Sequence, residues 1–191
     1  MPSLKVIIIT LIWLALFATA YYVLLKYDFK TTDNKLKTMT QATQLKISEQ
    51  KPTLIAFLHA KCPCSKASIH EINRLLASHS KELKTIFVFG KEEGLDLDWV
   101  KESDLYKEAQ QMPVEIIIDT NNQEAKAFKA QTSGKVFLIS PQRKILFQGG
   151  VTASRGHEGD NLGINAIQDI LNGKEAKVDF QPSFGCLIYA N

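Results

Sequence analysis

Cysteine is scarce in this chain, with three among 191 residues. Any single disulfide therefore leaves one thiol over, which suits a reactive site better than a structural staple. Also missing are a glycine-rich loop that would cradle phosphate and any flavin or nicotinamide fingerprint. Ser154-Arg155-Gly156-His157 lacks the nucleophile-elbow pattern. No four clustered ligands suggest a structural zinc. There is no internal repeat and no low-complexity tract. Charge of one sign is not in excess. The formal net charge is +3, and Lys5, Lys26 and Lys30 against Asp28 account for two of those charges, leaving +1 for residues 31–191. Nothing here points to nucleic acid. What remains is ordinary globular composition, 45% hydrophobic and 23% charged, enough for one domain with an appendage. No cofactor and no resident metal is expected.

The appendage is N-terminal. Val6 to Leu25 carries no charge and is bounded by Lys5 and Lys26. About twenty apolar residues span a bilayer as a helix. Trp13 is central, and Tyr21, Tyr22 and Tyr27 crowd one end, as interface anchors do. A cleavable signal peptide is the rival reading, with Val6 to Phe17 as its apolar core and Ala18-Thr19-Ala20 as its cleavage site. The apolar run continues past that site to Leu25, which favours an uncleaved anchor. Lys26, Lys30, Lys35 and Lys37 follow the span, so charge alone does not favour export of the domain. A signal-anchor on a long folded domain commonly translocates it. The expectation is therefore a single-pass protein of the cytoplasmic membrane with its domain in the periplasm or outside the cell.

The expected organisation is an anchor over 1–27, a polar linker over 28–42, a domain over 43–173 and an irregular tail over 174–191. Within the domain, Gln41 to Gln50 reads as a short helix and Thr53 to Leu58 as a buried strand. Ile69, Ile72, Leu75 and Leu76 recur at helical spacing, so 65–79 is an amphipathic helix. Thr85 to Phe89 and Val114 to Asp119 read as strands. Leu97 to Gln110 and Asn121 to Ala130 read as helices. Lys135 to Ile139 and Lys144 to Phe147 flank a Ser140-Pro141-Gln142-Arg143 turn as a hairpin. A last helix runs from about Leu162 to Leu171. Strands alternating with helices imply a parallel sheet, to which the hairpin adds antiparallel strands.

The chemistry concentrates in His59-Ala60-Lys61-Cys62-Pro63-Cys64-Ser65-Lys66, between the first strand and the first domain helix. A cysteine at a helix N-terminus meets N–H groups and a dipole that stabilise its thiolate. Cys62 is thus the candidate nucleophile, with Pro63 in a first-turn position where a missing N–H matters little. The plain alternative is a buried structural cysteine. Cys64 is either a redox partner in a strained, labile bond or an inert inward-pointing thiol. Cys186, far off in the tail, is a candidate resolving thiol for Cys62 or a structural partner for Cys64. Arg155 is suited to stabilise a thiolate or a peroxide oxygen, and His157 to move a proton. The plainer view of their loop is that Asp160 or Asn161 caps the last helix and the rest is solvated. Cys62, Cys64 and either His59 or His157 also make a donor set for copper(I).

Phe57 to Lys66 resembles the active-site segment of thioredoxins, and the order of elements over most of 45–173 is that of a thioredoxin-like domain. Within that superfamily the chain resembles the membrane-anchored RedB-like thioredoxin-fold proteins. This likeness is carried by Phe57 to Ser68, by Gly149 to Gly163 and by Phe184-Gly185-Cys186. The resemblance implies a thioredoxin-like three-layer sandwich with a mixed sheet behind one transmembrane helix. It implies a redox role on a protein thiol or disulfide, or on a peroxide. Two departures are visible. The family's Cys-x-x-Cys spacing would put its second thiol at Ser65, and here it is moved to Cys64. The family's cis-proline would fall near Gly134, where no proline stands. Copper handling and a non-catalytic binding module remain the alternatives, the latter making Cys62 dispensable. The known copper-delivering relatives use a wider cysteine spacing.

Overall fold

The computed structural model describes residues 3–28, 35–36, 43–91 and 93–189. The chain forms two units, Met1–Lys30 and Thr31–Asn191.

The first unit is one helix, α1 (Leu4–Asp28). Its apolar side chains are exposed on every side. Thr10 and Thr19 donate their hydroxyls to the carbonyls of Val6 and Ala15 at 2.9 and 2.8 Å, which pairs both hydroxyls within the helix. By length and composition the helix is long and apolar enough to cross a membrane.

The second unit is a six-stranded mixed sheet with helices on both faces. Its strands are β1 (Thr53–His59), β2 (Lys84–Lys91), β3 (Glu115–Thr120), β4 (Lys135–Ile139), β5 (Ile145–Gly150) and β6 (Phe180–Gln181). They lie in the order β3-β2-β1-β4-β5-β6. β1 pairs in parallel with β2 and antiparallel with β4. The helices are α2 (Pro63–His79), α3 (Leu97–Lys101), α4 (Asp104–Ala109), α5 (Gln123–Ala127) and α6 (Leu162–Leu171). The arrangement is a thioredoxin-like three-layer sandwich.

β1 explains the layering. Its side chains alternate, as a pleated strand requires. Leu54, Ala56 and Leu58 join Ile69, Ile72, Leu75 and Ile167 in one core, beneath α2 and α6. Ile55 and Phe57 join Ala125, Phe128, Phe137 and Ile188 in the other. Phe57, Phe128 and Phe137 pack ring on ring at 5.2 to 6.0 Å between centroids. Each such buried side chain contributes about 1.5–3 kcal/mol. The core places the C-terminal end of β1 and the start of α2 at one fixed edge.

Four expectations need correction. Residues 43–50 form no helix. Thr43 and the Gln44 N–H bond the Glu124 carboxylate instead, at 2.6 and 2.8 Å, and residues 41–42 lie outside the described residues. The helix expected over Leu97 to Gln110 is two helices, because Ser103 caps the second by accepting the Tyr106 N–H. The helix expected over Asn121 to Ala130 shrinks to α5, since Asn121, Asn122 and Lys129 have φ of 59°, 55° and 51°, outside helical backbone. The tail is not irregular throughout: β6 lies in it, parallel to β5.

Most of the expected linker lies outside the described residues. Lys35 and Leu36, within it, rest on the domain. The Gln148 amide accepts from the Leu36 N–H at 2.6 Å and donates to its carbonyl at 2.8 Å.

Candidate active site

Cys62 is the N-cap of α2, in extended backbone, with Pro63 in the first helical turn. Its carbonyl accepts the Ser65 N–H at 3.0 Å. Cys62 and Cys64 are buried, at 1% and 6% exposure, and Cys186 is half-buried. All three cysteines are free, and their thiols lie within reach of one another at the start of α2. No swing of the tail is needed to bring Cys186 to Cys62.

The tail reaches this place by pairing with the turn before β4. The Ser133 N–H donates to the Cys186 carbonyl at 2.8 Å, and the Ile188 N–H donates to the Gln131 carbonyl at 2.7 Å. Thr132 and Leu187 form an antiparallel bridge. Asn122 Nδ2 adds a bond to the Ile188 carbonyl at 3.2 Å, and Ile188 is buried in the second core. Glycines make the approach possible. A Cβ on Gly185 would stand 2.0 Å from the Ser133 oxygen, and one on Gly149 would stand 1.8 Å from the Gln181 oxygen. The glycines of the 149–163 stretch thus serve in part to admit the tail.

The thiols differ electrostatically. Cys62 is held far below the ordinary thiol range, first by the hydrogen bond from Cys186, then by that from Cys64, against the opposing effect of burial. The Ser65 and Cys186 amides add smaller help. On Cys64 the Cys186 bond acts downward, but the Cys62 bond, burial and the Cys62 charge outweigh it, and the thiol is raised. Cys186 is raised, first by its bond to Cys62 and then by that to Cys64. Cys62 is thus the thiol of the three that the surroundings favour as a thiolate, with Cys64 and Cys186 beside it as donors. The charge of Arg155 also reaches Cys64, lowering it.

The two departures from the thioredoxin pattern have physical explanations. Ser65 stands where the usual second thiol would be. Its hydroxyl donates to the His59 carbonyl at 2.8 Å and meets the Ser133 hydroxyl at 2.5 Å, and both serines accept from the His59 N–H. Ser65 is thus a buried fastener between β1, α2 and the turn before β4. At Gly134, φ is +87° and the N–H donates to the Phe57 carbonyl at 2.8 Å. Proline can do neither, and there is no cis peptide bond among the described residues.

His59 flanks the thiols, its carbonyl accepting the Cys62 N–H at 3.1 Å. Its ring meets Trp99 edge-on at 5.4 Å, and Lys61 Nζ lies 5.0 Å from the Trp99 ring centroid. A cleft of about 510 Å³ opens beside Cys62, with Lys61 and Lys66 on one side and Glu102, Asp104 and Glu108 on the other.

The 154–161 loop is fastened chiefly to α2. Glu158 pairs with His70 at 2.7 Å and Arg74 at 3.1 Å. His70 also meets Glu108 at 2.9 Å, and buried Glu71 pairs with Arg74 and accepts the Gly159 N–H at 2.5 Å. The exposed His157 ring bonds the Ser154 hydroxyl at 2.7 Å and the Arg155 carbonyl at 2.8 Å. Asn161 caps α6, accepting the Ile164 N–H at 2.9 Å. The Ser65–Ser133 pair and the pairing of 186–188 with 131–133 have no signature in the sequence. The Glu71, Arg74 and His70 positions share a helix face, the one available hint. Among the described residues no group of three His, Cys, Asp or Glu side chains is arranged to hold a metal ion.

No family model matches the sequence, and no curated protein matches it. Among solved structures, a hypothetical protein from Sinorhizobium meliloti 1021 is similar over 83% of this chain and 97% of its own, at 19% identity and a TM-score of 0.64. An uncharacterized conserved protein from Geobacillus kaustophilus is similar over 74% of this chain and 78% of its own, at 22% identity and a TM-score of 0.59. A thioredoxin-like protein solved in its oxidised form aligns over 72% of this chain and 90% of its own, at 16% identity and a TM-score of 0.49. At these identities the likeness is one of fold. The chain is a mixed α/β protein of thioredoxin-like fold, preceded by one helix apolar enough to span a membrane, with three thiols gathered at the N-terminus of α2.

Proposed function

We propose that this is a membrane-anchored, RedB-like thiol–disulfide redox protein that acts outside the cytoplasm, with Cys62 as its nucleophile and Cys186 as its resolving thiol. The observation that carries the reading is the meeting of three free thiols at the Cys62 N-cap, where the surroundings lower Cys62. The three stretches on which the RedB-like resemblance rests supply the groups there: Cys62 and Cys64 from the first, Arg155 from the second and Cys186 from the third. An oxidising compartment suits such chemistry, and α1 suits a signal-anchor.

In the reaction, the Cys62 thiolate attacks one sulfur of a substrate disulfide. A mixed disulfide forms on Cys62, and the other substrate sulfur leaves as a thiolate and takes up a proton. Cys186, losing its proton, then attacks Cys62 Sγ. The second substrate thiol departs, and a Cys62–Cys186 disulfide remains. The substrate has gained two electrons and the protein has lost two. Cys186 is better placed than Cys64 for this step, because a bond between residues two apart is strained. Arg155 favours the anionic cluster by its charge at Cys64, and His157 holds the Arg155 main chain. The test is turnover with a model disulfide. Cys62→Ser abolishes it and Cys64→Ser only reduces it, whereas full turnover without Cys62 favours the binding-module alternative.

A further inference from the structure

The two sulfurs of the Cys62–Cys186 pair face different surroundings. Cys62 is 1% exposed and sits at the foot of α2, while Cys186 is half-buried in the tail. The neighbouring Leu187 turns to solvent, 56% exposed, between buried Gly185 and buried Ile188. The tail therefore shows one outward side, at 186–187, and it is pinned to 131–133 from within by main-chain bonds. That pinning involves no sulfur, so it survives formation of a disulfide.

Resting on the redox reading above, we infer that the protein is recharged through Cys186: a reductant of the thiol class attacks the Cys186 sulfur of the oxidised pair, and Cys62 is the leaving group. Attack on a disulfide follows the accessible sulfur and is faster when the displaced thiolate is the more stable one. Cys186 is the more exposed residue of the pair, and the departing Cys62 thiolate still meets the Cys64 thiol and the Ser65 and Cys186 amides, so both factors act in the same direction. In the step, the reductant thiolate bonds to Cys186 Sγ, the Cys62–Cys186 bond breaks, and Cys62 leaves as a thiolate. A second reductant thiolate attacks the reductant's own sulfur in the mixed disulfide. Cys186 departs and takes up a proton, and the reductant leaves as its disulfide. Two electrons have entered the protein. Substrate and reductant thus use different sulfurs, Cys62 beside the cleft and Cys186 on the tail.

The test uses the full chain in detergent, oxidised with a model disulfide and freed of it. A brief pulse of 2-mercaptoethanol is stopped with acid, free thiols are alkylated, and peptides are mapped by mass. The expected result is a mercaptoethanol adduct on Cys186 in excess over Cys62 by on the order of tenfold. An adduct chiefly on Cys62 overturns the inference and leaves the redox reading standing. So does an oxidised protein whose disulfide joins Cys62 to Cys64 with Cys186 free. If oxidation forms no disulfide at all, it is the redox reading that fails.

Discussion

The main-chain N–H of Ser133 donates to the carbonyl of Cys186 at 2.8 Å. This bond joins the turn before β4 to a tail more than fifty residues later in the chain, and it sets the third thiol on the first two. Gly185 permits it, since a Cβ there would stand 2.0 Å from the Ser133 oxygen. Gly185→Ala is therefore expected to push residues 184–188 off 131–133 and to lower stability by about 1–3 kcal/mol. Cys62 then loses its strongest donor, and its pKa rises toward about 8.5. The midpoint of its alkylation moves to higher pH, and Cys186→Ala, which removes the donor, moves it the same way without crowding the backbone. The measurement is the pH profile of iodoacetamide labelling at Cys62. A midpoint unmoved in both variants contradicts the assignment.

Ser65 gives a second expectation. Its hydroxyl is buried among the His59 main chain and the Ser133 hydroxyl. Ser65→Ala leaves buried partners unsatisfied and lowers stability by about 1–3 kcal/mol. Denaturant unfolding measures this. A neutral result would mean that the serine pair fastens nothing.

Much of this architecture was legible in the sequence. The apolar run Leu54 to Leu58, and Ile69, Ile72, Leu75 and Leu76 at helical spacing, are local patterns set by burial, and they specified β1 and α2. The break at Ser103 was not legible, because Leu97 to Gln110 has helical composition throughout and the cap acts through one hydroxyl. The left-handed backbone at Asn121 and Asn122 left only a weak trace, two asparagines in a row. The N-terminal position of Cys62 followed from strand, turn and helix order. The meeting with Cys186 did not, because main-chain pairing between 131–133 and 186–188 imposes no side-chain pattern. The reason for Gly149, Gly150 and Gly185, the close passage of another segment, is a long-range fact.

The loop carrying Arg155 gives a third expectation. The Arg155 charge lowers Cys64, so Arg155→Ala raises the Cys64 pKa further and slows its labelling at any given pH. Arg155→Lys, which keeps the charge, restores much of the rate. Labelling of Cys64 resolved by peptide mass across pH reads this directly. A profile unchanged in the alanine variant would remove Arg155 from the thiol cluster.

Helix α1 gives a fourth. Full-length protein is expected in the membrane pellet after a carbonate wash, with residues 31–191 open to protease only from outside the cytoplasm. A soluble chain beginning near Tyr21 would show a cleaved signal instead. Digestion from the cytoplasmic side would overturn the export assignment alone.

The most direct measurement is a thiol count on the wild-type chain, reduced and then treated with a model disulfide. The account predicts three alkylatable cysteines before treatment and one after, with Cys64 free and the Cys62 peptide linked to the Cys186 peptide. Three free thiols after treatment, or a lasting mixed disulfide with Cys186 still free, would contradict it.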